Sequence, residues 1–470
     1  MSRATGSGDR PVSNSLDLLR PGTLVHLIGV GGAGMSGIAR ILLQRGHLVT
    51  GSDLRESRVL EELRVLGARV FVGHDAANLG DAGVVVLSAA VPSDNPELVA
   101  ARAAGVPVLH RAAMLAALMQ GDRAVLIAGT AGKTTTTSMA VVGLQAAGQD
   151  PSFAIGGSLN ESGTNAHGGT DRVFVAEADE SDRSFLVYEP DVAVVTNVEL
   201  DHPDEFADEH DVRRSFRAFL DRLEADGVAV LGIDDAGAAV LAADLPGKVL
   251  TFGTDARADL RIVRDGQGVV RLRHDGEELV AFRPMAPGDH NVRNAAAALA
   301  VCWLLEVDLA KAARGIESFS GPIRRFQVLG EIDGIMVVDD YAHHPTKLRA
   351  ALAAARQLEP RRIVLVVQPH RYSRTAVLGA ELGRAAAAAD LVIVSEVYAS
   401  SEMPVPGVTG RIVADAAAAA GASVVYEPHL ADIIEYLVGH VRPGDLLLTT
   451  GAGDVTQVGA AVLARLGGTR

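Results

Sequence analysis

An α/β chain of several domains is what this sequence predicts. Short apolar runs alternate with helix-length stretches from residue 21 almost to the end, the pattern of parallel strands covered by helices. Two glycine-rich turns each follow such a run and open a helix. At roughly 100–200 residues per domain, a chain of 470 residues has room for two to four domains.

Composition bounds the function. Apolar residues make up 48% and charged residues 21%, an ordinary globular balance. A formal charge of −15 argues against a nucleic-acid binder, which needs a basic face to neutralise phosphates. It leaves room for a phosphate-bearing small molecule, because local cations and backbone N–H groups decide that. The single cysteine, Cys302, excludes an internal disulfide and a cysteine metal cluster, and its apolar neighbours mark it as core. Residues 1–20, read as a flexible polar tail, lack the apolar stretch of a secretory signal. The longest wholly apolar run, 295–305, falls short of the ~20 residues needed to cross a bilayer. The expectation is a soluble, cytoplasmic protein kept in reducing surroundings, without membrane insertion or nucleic acid.

Three blocks follow the tail, at 21–121, 122–321 and 322–470. In the first, apolar runs at 24–30, 48–50, 84–90 and 108–110 read as strands, with helices at 35–45 and 59–66. The second opens on a buried-strand run at 124–128, with further strands at 173–176, 192–196 and 247–251. Residues 255–284 alternate apolar and charged side chains around Asp265-Gly266 and Asp275-Gly276, which predicts antiparallel hairpins, and a helix follows at 291–305. The third block carries strands at 334–339, 363–367, 391–394, 423–426 and 445–449, with alanine-rich helices between them.

Gly29-Val30-Gly31-Gly32-Ala33-Gly34 follows the first strand, and Asp53 ends the next. Glycines let the backbone turn tightly against a pyrophosphate, the helix start offers free N–H groups, and the acid stands where a ribose would be held. The physical content is a pyrophosphate plus a sugar, which suits NAD, FAD or a UDP-sugar equally; a bare glycine turn is the bland alternative. Gly129-Thr130-Ala131-Gly132-Lys133-Thr134-Thr135 follows the strand at 124–128. Its N–H groups aim at phosphates, Lys133 adds a point charge, and the Thr134 hydroxyl can ligate Mg²⁺. A nicotinamide enzyme needs only the first turn and a simple NTPase only the second. A ligase acting on a nucleotide-activated substrate needs both.

Glu177, Asp179, Glu180 and Asp182 crowd the end of the strand at 173–176, and Glu199, Asp201 and His202 follow the strand at 192–196. Acids after buried strands are costly without cations, and hard oxygen ligands suit Mg²⁺ bound to phosphates; the bland reading is two solvated loops. Asn291 and Asn294 lie one turn apart on a helix and can read an adenine edge, or merely cap it. In the third block, Asp340, Tyr341, His343 and His344 follow one strand, and His370, Arg371 and Arg374 follow another. Arg371 and Arg374 are forks suited to a carboxylate, and Arg325 sits where the second and third blocks join. Any one arginine can be a surface ion pair; gathering at strand C-terminal ends is what points to a ligand.

Taken together, these motifs, in this order over residues 21–454, resemble the Mur ligase family of ATP-dependent peptidoglycan-precursor ligases. The resemblance implies a Rossmann-like first domain, a central P-loop ATPase-like parallel sheet with a small antiparallel portion, and a Rossmann-like C-terminal domain. It implies UDP-N-acetylmuramate and L-alanine as substrates, ATP and Mg²⁺ as cofactors, and a monomer or homodimer. Gly31, Gly32, Ala33, Gly34, Met35, Ser36, Ser52 and Asp53 would hold the UDP substrate. Gly129, Thr130, Ala131, Gly132, Lys133, Thr134 and Thr135, with Asn291, Asn294, Arg325 and Asp340, would hold ATP. Thr134, Glu177 and His202 would bind metal, and Tyr341, His344, Arg371 and Arg374 would surround L-alanine. Lys133, Glu177, His202 and Arg325 would carry the chemistry, with the third domain closing on the second to bring Arg325 and Asp340 to ATP. The chain departs from the family at Ala131, where histidine is usual, and at Pro203 after His202. A ligase that adds a whole tripeptide shares most of these motifs, and a nicotinamide oxidoreductase or a non-catalytic UDP-sugar sensor would use fewer of them.

Overall fold

The computed structural model describes residues 18–468 apart from 89, 158–162, 204, 266–267, 286, 320 and 401. The N-terminal tail read from the sequence therefore lies outside the described residues up to position 17, as does Gly266 of the first hairpin turn.

Three sheets follow one another along the chain. The first has five parallel strands in the order Arg69–Val72, Leu48–Asp53, Leu24–Ile28, Val84–Leu87, Val108–His110. The chain winds outward from Leu24–Ile28 on one side and then returns to its other side, so the crevice at this reversal opens at that strand's C-terminal end. The glycine-rich turn lies there.

Among the described residues, the second sheet has ten strands. Its parallel centre places Arg123–Ala128 between Val192–Val195 and Val173–Glu177. Val228–Gly232 and Lys248–Gly253 extend it on one side, and the antiparallel set Leu260–Arg264, Val270–His274 and Glu277–Phe282 completes that edge. The hairpins read from the alternation over 255–284 are thus an extension of the ATPase-like sheet. The third sheet runs Gln327–Ile332, Ile335–Asp340, Asp445–Thr450, Arg362–Val367, Leu391–Val394, Val424–Tyr426, parallel except for its first strand. Among the described residues, no helix is long and apolar enough to cross a membrane.

Several strands escaped the sequence reading. Arg69–Val72 and Gln327–Ile332 are half-exposed edge strands: the first is only four residues long, and the second is broken by a register shift. Ser152–Ala154 and Ala166–His167 are too short to show a period. Val228–Gly232 is apolar and buried, and its signal was legible.

The helices Lys133–Ala146, Asp289–Leu304 and Leu309–Glu317 cover one face of the second sheet, with Ala295–Val301 wholly buried between them. Small residues let these helices approach. A Cβ at Gly315 would lie 2.5 Å from the Cβ of Ala146 and 2.9 Å from the carbonyl oxygen of Val142, so the helices would have to separate. Overpacking of this kind costs about 1–3 kcal/mol, more than the ~1 kcal/mol that alanine gains over glycine in a helix. Gly315→Ala is therefore expected to lower the urea midpoint with an unchanged denaturant slope; an unchanged or higher midpoint would show that the crossing has slack.

Candidate active site

The phosphate turn is placed by register. Ala128 lies opposite Val195 on one neighbour strand, and Ile127 opposite Glu177 on the other. Three strands thus end at one edge, and the segments 129–135, 177–182 and 196–202 converge there. Gly129 has φ +136°, and a Cβ on it would lie 2.1 Å from the Thr196 hydroxyl, so only glycine fits. Gly132 precedes the helix Lys133–Ala146 with φ +87°, and no side chain caps that helix, which leaves its first N–H groups for an anion.

Ala131 supplies no polar side chain, and the turn does not depend on one. The Ala131 N–H donates to Asn197 Oδ1 at 2.8 Å, and its carbonyl accepts from Asn197 Nδ2 at 2.9 Å and from the Thr196 hydroxyl at 2.6 Å. The Thr130 hydroxyl donates to the Glu199 carbonyl at 3.0 Å and accepts from the Glu199 N–H at 2.9 Å. Lys133 Nζ donates to the Gly129 carbonyl at 2.8 Å and to Glu180 Oε2 at 2.7 Å. Burial opposes its charge, but Glu180 and Asp179 outweigh that and hold its pKa above the ordinary lysine value. The Thr134 hydroxyl meets Glu177 Oε2 at 3.2 Å, and the Gly156 N–H donates to Glu177 Oε1 at 2.7 Å. Burial pushes the Glu177 carboxyl up, against the pull of that N–H, Lys133 and Arg325.

Two cavities meet at this turn. One, of about 280 Å³, is lined by Ala131, Gly132, Thr135, Asn291, Asn294, His290, Phe252, Arg325 and Asp340. Asn291 and Asn294 are both buried; Asn294 Nδ2 donates to Asn291 Oδ1 at 3.3 Å, and Asn291 Nδ2 to the Pro287 carbonyl at 2.7 Å. Burial holds His290 down at about 4, so its ring is neutral at physiological pH. Asp340 accepts from the N–H groups of Phe326 and Ala342 at 2.7 and 2.8 Å, and burial raises its carboxyl despite Arg325. Arg325 and Asp340 share this wall with Gly132, so the approach of the third sheet to the phosphate turn, expected as a closing motion, is already in place.

The second cavity, of about 560 Å³, is lined by Ala33, Thr130, Lys133, Thr134, Glu177, Asp179, His202, Arg325, Tyr341, His343, Arg371 and Arg374, among others. It joins the phosphate turn to the start of the helix Ala33–Gln44 in the first sheet, where Asn165 Nδ2 also donates to the Ala33 carbonyl at 2.8 Å. His202, Arg324 and Arg371 on this wall, and Phe326 on the other, all have left-handed φ of 63°, 62°, 66° and 49°, a strained conformation that gathers at functional sites.

The first glycine-rich turn is held from behind. The Gly31 N–H donates to Asp53 Oδ2 at 2.9 Å, and the N–H groups of Gly29 and Val30 donate to the Ser52 carbonyl at 2.8 and 2.9 Å. Gly32 precedes a helix with no side-chain cap, and the Met35 side chain is core, so it is the backbone around Gly32–Ser36 that faces the crevice. Arg111, unremarked in the sequence, reaches this turn: a Cβ on Gly34 would lie 2.9 Å from its Nη1. Its signal was the end of the strand Val108–His110. Of the substrate-side residues expected there, Ala33 lines the second cavity, while Gly31, Gly32, Gly34, Met35, Ser36, Ser52 and Asp53 line neither cavity. Ser52 is tied to Glu97 Oε2 at 2.5 Å, and Glu97 also meets His74 at 3.3 Å, Asn78 at 2.6 Å and His26 at 3.6 Å.

A buried charge cluster joins the second and third sheets. Asp201 Oδ2 accepts from Lys347 Nζ at 2.8 Å, and Oδ1 from Arg374 Nε at 3.0 Å and from the His202 N–H at 3.0 Å. Burial works against the charge on Asp201, yet Lys347, Arg374 and His343 hold it well below the carboxylate range. Burial brings His202 down to about 4 despite Asp201 beside it. Arg374, expected to grip an amino acid, spends its guanidinium on Asp201, His370 and His202. His344 caps the helix Pro345–Gln357 by accepting from Thr346 N at 3.3 Å, and its Nε2 meets the Leu200 carbonyl at 3.1 Å. It lines neither cavity, whereas Tyr341 and Arg371 line the second.

A phosphate turn shared by a nucleotide-sized cavity and a second cavity reaching a Rossmann-like domain defines a nucleotide-dependent transferase or ligase, and comparisons with known proteins narrow the class. Three family profiles match in order: "Mur ligase family, catalytic domain" over residues 24–123, "Mur ligase middle domain" over 127–302, and "Mur ligase, glutamate ligase domain" over 324–453. The chain belongs to the Mur ligase family. It is 50% identical over 447 residues to a UDP-N-acetylmuramate–L-alanine ligase of Acidothermus cellulolyticus, covering 93% of this chain and 94% of that one. It is 49% identical to the protein of the same name from Saccharopolyspora erythraea, covering 94% and 93% of the two chains. The crystal structure of a UDP-N-acetylmuramate-alanine ligase from Thermotoga maritima superposes with a TM-score of 0.78 at 28% identity, over 95% of this chain and 99% of that one.

The Glu97 cluster makes a pH prediction. Burial opposes the charge on Glu97, but His26, Ser52 and Asn78 bring its pKa from 4.5 to about 2. Its contribution, about 3 kcal/mol at most, is complete above the unfolded value near 4.5 and is lost as pH falls toward about 2. Urea unfolding of wild type and Glu97→Gln is expected to show a gap at pH 7 that closes between those values; a gap independent of pH would assign the effect to packing.

Proposed function

We propose that this chain is an ATP-dependent ligase that joins L-alanine to the lactyl carboxylate of UDP-N-acetylmuramate, in cytoplasmic synthesis of peptidoglycan precursors. One observation carries the reading: the turn around Lys133 forms the common wall of a nucleotide-sized cavity and of a second cavity that runs to Ala33 in the Rossmann-like domain. An oxidoreductase would leave that turn and its carboxylates without a task. The names of the relatives near 50% identity favour alanine over a tripeptide as the incoming amine.

The domain limits 21–121, 122–321 and 322–470, after a tail at 1–20, accord with the family matches at 24–123, 127–302 and 324–453. In this reading the first domain holds the UDP moiety at Gly31–Ser36 and Asp53, with Arg111 close to the pyrophosphate. Asn291 and Asn294 meet adenine, and Arg325 and Asp340 close over the nucleotide. Tyr341, Arg371 and Arg374 surround the amino acid.

Two steps make up the reaction. The carboxylate oxygen attacks the γ-phosphorus as its bond to the bridging oxygen breaks, giving an acyl phosphate and ADP. The neutral alanine amine then attacks the acyl carbon, and inorganic phosphate departs from the tetrahedral intermediate, taking the proton that the nitrogen gives up. The protein supplies positioning and charge neutralisation. Lys133 must exchange Glu180 and the Gly129 carbonyl for phosphate oxygens, and the free N–H groups after Gly132 receive the rest. The residues fit Mg²⁺: Thr134 and Glu177 offer adjoining hard oxygens, and among the described residues no basic side chain is hydrogen-bonded to the half-buried Glu177 carboxyl. His202 lies on the same wall for a second ion. Among the described residues no cluster of three or more His, Cys, Asp or Glu cages a metal alone, so phosphate oxygens and water would complete the shell. Bound there, Mg²⁺ would neutralise the phosphoryl charge.

The decisive assay is ADP release dependent on both UDP-N-acetylmuramate and the amine, with L-alanine, glycine, serine and tripeptide compared. L-alanine is expected to lead, and a tripeptide preference would move the chain to the recycling ligases. Lys133→Ala should lose at least ~10³-fold in turnover while unfolding at the wild-type temperature; wild-type ADP release from that variant would refute the assignment.

A further inference from the structure

Among the described residues, Ala131, Gly132, Arg325 and Lys347 are common to the walls of both cavities. A phosphoryl group moving from the nucleotide to an acceptor in the second cavity crosses between them. Ala131 and Gly132 offer only backbone there, and the Ala131 N–H is already given to Asn197. Positive charge at the crossing therefore comes from Arg325 and Lys347, with Lys133 on the second-cavity side.

Lys347 has no structural need to be a cation. It lies in the first turns of the helix Pro345–Gln357, whose packing is carried by Leu348, Ala351, Leu352, Ala354 and Ala355. Its ammonium rests on Asp201 Oδ2 at 2.8 Å. Asp201 is oversupplied: Arg374 and the His202 N–H hold the other oxygen at 3.0 Å, and His343 Nε2 stands 3.9 Å from Oδ2. If Lys347 turned away, Asp201 would keep a guanidinium and a backbone donor, so the move strands no buried anion.

We propose that Lys347 is a catalytic residue of the phosphoryl transfer: with the triphosphate in place its ammonium leaves Asp201, takes the γ-phosphate, and stays with the phosphoryl group as it crosses to the carboxylate. This rests on the ligase reading above. The bond between the γ-phosphorus and the bridging oxygen breaks, the bond to the carboxylate oxygen forms, ADP carries away the electron pair, and no proton moves. Asp201 becomes a resting place for Lys347, ready to take it back once phosphate departs.

The test uses the full chain as wild type, Lys347→Met, Lys347→Arg and Asp201→Asn, with Mg²⁺ and UDP-N-acetylmuramate present. Calorimetry compares the affinity for a non-hydrolysable ATP analogue with that for ADP, and steady-state assays follow ADP release with L-alanine. Lys347→Met is expected to weaken the triphosphate about tenfold, leave ADP within roughly twofold, and lower kcat by about 100-fold. Lys347→Arg should recover most of the triphosphate preference, and Asp201→Asn should keep the ratio of the two affinities. Equal weakening of ATP analogue and ADP by Lys347→Met would reduce Lys347 to a brace for Asp201 and overturn the proposal, as would a kcat within about threefold of wild type. If Lys347→Met does not fold, the affinity ratio of Lys347→Gln decides by the same criteria. Failure of the wild type to release ADP would sink the ligase reading instead, so the two failures are distinguishable.

Discussion

Parallel pairing at the centre of the second sheet places everything else. Arg123–Ala128 lies between Val192–Val195 and Val173–Glu177 with their C-terminal ends level. Parallel strands all deliver their outgoing loops to the same edge, and the helices that return the chain cover the faces. The phosphate turn, the Glu177–Asp182 acids and the Thr196–His202 loop therefore have to meet. A slip of one residue would turn Glu177 to the opposite face and remove the Thr196 hydroxyl from the 2.1 Å approach that demands glycine at 129. Once the strands are level, Asn197 grips both polar groups of the residue-131 peptide, which is why an alanine there is compatible with a formed turn.

The second consequence is a seam rich in buried charge. Asp201, Lys347, Arg374, His343 and His202 come from two sheets and from segments far apart in the chain. Charges removed from water are tolerated when each meets opposite charge and hydrogen-bond donors, and they rarely add stability over an apolar isostere. Their presence here is better understood as orientation than as glue. The apolar packing is supplied elsewhere, by a core that runs continuously from the first sheet into one face of the second, and by separate clusters on the two faces of the third. The third sheet thus meets the second through a polar seam, while the first is fused to it by hydrophobic contact.

That asymmetry suits a ligase. The first domain is joined to the sheet of the phosphate turn by apolar contact, while the domain carrying Arg325, Asp340, Arg371 and Arg374 meets that sheet through charged groups that can exchange one counter-charge for another. Lys133 resting on Glu180 and Lys347 resting on Asp201 are cations parked on internal carboxylates in the neighbourhood where substrate anions would sit.

How much of this was visible beforehand depends on how local the cause is. The two glycine-rich turns, the acids after buried strands and the hairpins over 255–284 are written in consecutive residues, because phosphate cradles, strand ends and turns are local devices. The family resemblance rested on the same local motifs. Arg111, Asn197 and Lys347 carry no such mark: each is an ordinary polar residue whose significance arises from what the folding of distant segments puts beside it. His344 shows the reverse case, since a residue in a telling motif turns out to cap a helix and face Leu200. By itself the sequence determined the α/β class, the two phosphate turns and the order of the blocks, since these follow from periodicity and from backbone conformations that only glycine adopts. Only the tertiary structure decided which cations share the crossing between the cavities and which carboxylates hold them, because Coulomb interactions depend on distance in space and on burial, neither of which spacing along a chain reveals.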